Sequence, residues 1–100
     1  MTINTNREGD TLTLSVAGNL STPTAPELDA ALKANIDGVK TLVFDLGKLE
    51  YMASAGLRVL MTAAKTMHKQ GSMKVINVPQ QIMDVFAITG LTEVLDITPL

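Results

Sequence analysis

The segment Thr2 to Arg7 is polar, and Glu8-Gly9-Asp10 is a turn signal, so the chain is expected to open on a polar edge strand folded back as a hairpin. Through Thr11-Leu12-Thr13-Leu14-Ser15-Val16 the apolar side chains fall two apart with hydroxyl residues between them. That is the period of a strand with one buried and one wet face, and it puts the helices mainly on one side of the sheet. Gly18 to Pro23 reads as a loop. Thr24-Ala25-Pro26-Glu27 then has the spacing of a capping box with proline in the first turn, and Leu28, Ala31, Leu32 and Ile36 share one helical face before Asp37-Gly38 stops it. Leu42 to Leu46 is an apolar, partly β-branched run of the kind a strand buried on both faces shows. A strand, a helix and a strand in succession predict a parallel pair joined by a right-handed crossover.

At Ala53-Ser54-Ala55-Gly56 the apolar period changes from strand to helix. Leu57, Leu60, Met61, Ala64 and Met67 form the expected inward stripe, Arg58, Thr62, Lys65 and Lys69 point outward, and Gly71 ends the helix. Met73 to Val78 reads as a fourth strand. Pro79 opens a third helix with Ile82, Val85 and Phe86 inside, Gly90 is its C-cap, and Glu93 to Ile97 forms a short last strand. The expected fold is α/β, a single domain over residues 1–100 with a small, mixed, mostly parallel sheet and helices mainly on one face.

Ser54 stands where an N-cap belongs, and two jobs are open to its hydroxyl. It can cap the first-turn amides, or it can accept a phosphate, whose charge of about −1.5 to −2 the free amides and helix dipole would stabilise. Gly56 likewise has two readings, internal packing or a backbone left open beside Ser54 for an approaching molecule. Asp45 either caps a loop amide or lines a partner-facing surface. His68, among Lys65, Lys69 and Gln70, is a solvated helix residue, and the isolated charges Lys48 and Glu50 are solvated or meet a partner.

Composition narrows the function. With 46% hydrophobic but only 3% aromatic residues, aliphatic and methionine side chains must fill the core, and no aromatic cofactor stack is expected. A net charge of −2 and a pI near 5.1 argue against direct nucleic-acid binding. The absence of cysteine removes disulfides and thiolate chemistry and fits a cytoplasmic location. The polar N-terminus is no signal peptide, and the apolar stretch at Leu57 to Ala64 is too short to insert in a membrane. No glycine motif for nucleotide phosphates occurs, so neither a cofactor nor enzymatic activity is expected.

Val43-Phe44-Asp45-Leu46 followed by Met52-Ala53-Ser54-Ala55-Gly56-Leu57 resembles the signature of the STAS family of bacterial anti-sigma factor antagonists. Gly18-Asn19-Leu20 with Ala25-Pro26-Glu27-Leu28 is similar to the family's second strand and first helix, and Thr89-Gly90-Leu91 to its third helix end. The resemblance implies partner switching. In that family the serine equivalent to Ser54 is phosphorylated by an anti-sigma factor that is itself a serine kinase. The unphosphorylated form binds that kinase and frees the sigma factor, and a PP2C-type phosphatase restores binding. ATP belongs to the kinase. The implied partner-facing residues are Ser21, Thr22, Asp45, Met52, Ala53, Ser54, Ala55, Gly56 and Arg58. Two positions depart from the pattern: Ala53 and Ser21 stand where the family usually has aspartate. They point to an alternative, a STAS module serving as a structural subunit of a membrane lipid or anion transporter, with Ser54 only a cap. Members commonly carry one more helix after the last strand, which is expected here to be missing or reduced to a stub.

Overall fold

In the computed structural model, which describes residues 1–100, β1 (Thr2–Glu8) and β2 (Thr11–Leu20) pair antiparallel from Glu8 opposite Thr11 to Thr2 opposite Ala17. The turn between them is possible because Gly9 takes the left-handed φ of 61°. There follow α1 (Ala25–Asn35), β3 (Thr41–Met52), α2 (Ser54–Gln70), β4 (Ser72–Val78), α3 (Gln80–Thr89), a 3₁₀ turn at Leu91–Glu93 and β5 (Asp96–Pro99). The sheet order is β1-β2-β3-β4-β5, with every pair but the first parallel. Each crossover steps one strand in the same direction, and right-handed crossovers that all step one way put every helix on the same face. The mixed, mostly parallel sheet with helices on one side is therefore the expected one.

The covered face holds the core. Leu12, Leu14 and Val16 of β2, Leu42, Phe44 and Leu46 of β3, and Val75 and Val78 of β4 are buried against Leu28 and Leu32 of α1, Leu60 and Met67 of α2, and Ile82 and Phe86 of α3. The other face is open. The apolar run of β3 is not buried on both sides as its composition suggested, because Val43 and Asp45 are only half-buried where no helix lies over them. No buried polar side chain is left without a hydrogen-bond partner.

Three features differ from expectation. β2 runs to Leu20 and β3 to Met52, two register irregularities letting the pair continue to Leu20 opposite Met52, so the loop begins at Ser21 instead of Gly18. On α2 the buried residues are Gly56, Val59, Leu60, Ala63 and Met67, whereas Leu57, Met61 and Ala64 are half-buried. The stripe is turned because α2 packs against α1 as well as against β3 and β4. At the end of α3, Gly90 is the expected left-handed C-cap, and the chain then coils once more around buried Leu91, which delays the last strand to Asp96.

Candidate functional site: the serine turn and the α1–α2 groove

The turn into α2 is tied to the strand before it. The Ala53 amide donates to Leu20 O at 2.8 Å, so extended geometry persists through Ala53, whose φ and ψ are −89° and 169°. The helix can begin only at the next residue. Ala53 is thus the N-cap and Ser54 the first helical residue, so the helix starts one residue earlier than expected, and no side chain caps this end. Ala53 O accepts from the amides of Gly56 at 2.9 Å and Leu57 at 3.3 Å, while the amides of Ser54 and Ala55 have no carbonyl partner. The Ser54 side chain is exposed beside them.

Gly56 faces inward, so its two readings separate. A Cβ there would stand 2.6 Å from Leu20 Cγ, 2.7 Å from Leu20 Cδ2 and 3.2 Å from Met52 Cγ. The glycine is required by packing, and its expected place on the partner surface is corrected. The same holds for Met52, whose side chain belongs to the core.

The loop from β2 into α1 flanks the turn. Thr24 is the residue before the helix but forms no capping box, since its own backbone is already in the α region and its hydroxyl turns back into the loop. Thr24 Oγ1 accepts from the Ser21 amide at 2.8 Å and lies within hydrogen-bonding distance of Asn19 O at 2.9 Å and Ser21 Oγ at 3.1 Å. Ser21, half-buried, is accordingly committed to holding the loop.

Between the two helices runs a groove of about 360 Å³ lined by Thr22, Pro26 and Asp29 on the α1 side and by Ala55, Arg58 and Thr62 on α2. The structure therefore gathers Thr22, Ala55 and Arg58 next to the exposed Ser54. Asp45 is not among them. It sits on the open face, where Oδ1 accepts from the Gly47 amide at 3.0 Å and from Asn77 Nδ2 at 3.2 Å, which is the loop-capping role. Tyr51, 54% exposed three residues before Ser54, was missed in the sequence. Its signal was parity: with Met52 directed into the core, its strand neighbour must point out. No helix is long and apolar enough to cross a membrane.

The family model described as "Mlab, STAS domain" matches residues 3–98. The chain belongs to the STAS family. This STAS protein is 35% identical over 79 residues to the provisionally named anti-sigma factor antagonist BtrV of Bordetella bronchiseptica, covering 77% of this chain and 68% of that one. It is 33% identical over 86 residues to the anti-sigma-B factor antagonist of Bacillus subtilis, covering 85% and 79%. Among solved structures, the anti-sigma factor antagonist of Mycobacterium paratuberculosis superposes with a TM-score of 0.90 at 26% identity, over 99% of this chain and 86% of that one.

Proposed function

We propose that this STAS protein is a cytoplasmic anti-sigma factor antagonist that works by partner switching at Ser54. The observation that carries the reading is the exposed Ser54 hydroxyl beside two unpartnered amides and next to the α1–α2 groove. In the unphosphorylated state Ser54, Ala55, Thr22 and Arg58 face an anti-sigma factor that is a serine kinase. The Ser54 oxygen attacks the γ-phosphorus of ATP bound in the kinase, its proton passes to the kinase base, and ADP leaves. The new dianion lies where the Ser54 and Ala55 amides and the helix dipole stabilise it. Buried against the partner it would be desolvated, so the complex dissociates. A PP2C-type phosphatase then hydrolyses the ester.

Ala53, in the place of the usual aspartate, leaves this chemistry intact, because the base and metal ions of phosphoryl transfer belong to the kinase. The test is affinity capture of the partner from the native cytoplasm, incubation with ATP, and mass spectrometry of the Ser54 peptide, with Ser54→Ala as the blank. The expected result is phosphate on Ser54 followed by release of the partner. Stable capture of a membrane transporter component, with Ser54 never modified, would replace this reading by the structural-subunit one that Ala53 and Ser21 favour.

A further inference from the structure

Arg58 stands one turn beyond Ser54 on α2, and residues four apart share a helix face. Because Cα–Cβ bonds tilt toward the helix N-terminus, a side chain at position 58 covers the turn that carries Ser54. Arg58 is exposed and lines the α1–α2 groove opposite Asp29. Its guanidinium is nevertheless unpaired: the one ion pair in the chain joins Asp29 to Lys33 at 2.9 Å, and the only side-chain hydrogen bond reaching residue 58 goes from Thr62 Oγ1 to its carbonyl. The other charged groups on the elements packed against α2 are Glu27, Asp29 and Lys33 of α1, Asp45, Lys48 and Glu50 of β3 and Lys74 of β4. None shares the helix face of Ser54, and Lys33 is already held.

We infer that Arg58 is the intramolecular reader of phosphate on Ser54. The inference rests on the proposed phosphorylation and names the residue through which its effect spreads. With phosphate present, the guanidinium leaves the groove and takes two phosphate oxygens in a bidentate pair, a geometry its planar fork suits and an ammonium does not. One modification thus adds an anion at Ser54 and withdraws a cation from the groove.

The test uses protein with phosphoserine installed at position 54 during translation, so it does not depend on any kinase. Wild type, Arg58→Gln and Arg58→Lys are titrated by phosphorus NMR, and the Arg58 Nε–H resonance is followed with and without the phosphate. An unpaired phosphoserine loses its second proton at about pH 6. In wild type this value should fall by about half a unit to one unit, as expected for an opposite charge nearby. It should rise back toward that value in Arg58→Gln, where only the helix amides still act, and lie between the two in Arg58→Lys, while the Nε–H resonance moves on phosphorylation. Superimposable titrations of wild type and Arg58→Gln, both folded by thermal melting, would overturn the assignment yet leave Ser54 phosphorylation standing. A Ser54 that no kinase modifies would remove the proposed function and leave the titration result intact.

Discussion

Gly56 and Gly71 show how single hydrogen atoms hold the serine helix at its two ends. The missing Gly56 side chain admits Leu20, which is wholly buried, so Gly56→Ala is predicted to destabilise the fold by about 1–3 kcal/mol through overpacking. Urea unfolding measures it, and an unchanged midpoint would return Gly56 to the partner surface. At the other end Gly71 has an extended φ of 177° that any residue adopts, so its constraint is contact alone. A Cβ there would collide with the backbone carbonyl of Lys40, which also accepts from the Ser72 amide at 2.8 Å to start the β3–β4 pairing. Backbone yields less readily than a side chain. Gly71→Ala is therefore predicted to lower the urea midpoint more than Gly56→Ala does, and the reverse order would refute the distinction.

At the scale of elements, side-chain to backbone bonds that no periodicity announces tie the end of α2 to the link that follows α1 and brace the loop that enters α1. Gln70, the last residue of α2, donates through Nε2 to Ile36 O at 2.9 Å and Val39 O at 2.7 Å, pinning the link from α1 into β3. Gln70→Ala leaves both carbonyls without that donor and is predicted to cost about 1–3 kcal/mol, with faster amide exchange confined to residues 36–41 as its mark. At the opposite end Thr24→Val keeps the shape but removes the acceptor of the Ser21 amide. The loop beside Ser54 should loosen, read as faster exchange of the Ser21 amide with the α2 amides unchanged; a uniform change along the chain would mean global destabilisation instead.

For the whole molecule the relevant fact is that Ser54 projects from a finished structure. Its side chain caps nothing and fills no space, so a charge there should alter what the protein binds without altering how it folds. Ser54→Asp places an acid in the first turn, where the helix dipole favours it by about 0.3–1 kcal/mol. Its melting temperature should match or slightly exceed that of wild type, while affinity for the captured partner falls at least about tenfold, or about 1.4 kcal/mol. Both are measured on one preparation, by calorimetry. Equal affinity in a folded Ser54→Asp protein would take Ser54 out of the interface.

What the sequence by itself determined is the set of local choices. Alternation in Thr11 to Val16, the helical stripes after Glu27 and Leu57, and glycines at the turns specify which segments are strands and helices, because those periods follow from the geometry of each element. Ser54 was legible as a hydroxyl where strand becomes helix, with capping and phosphate acceptance both open to it; its exposure came from the fold. The tertiary structure decided everything that depends on a second segment. The bond from the Ala53 amide to Leu20 O moved the N-cap by one residue, the position of Leu20 decided between the two readings of Gly56 in favour of packing, and the approach of α1 rotated the buried stripe of α2. It also sent Asp45 to the open face and gathered Thr22, Ala55 and Arg58 at the groove. The physical reason is the same in each case: a residue's own period says which way it points, but what it meets there is supplied by chain that is distant in sequence.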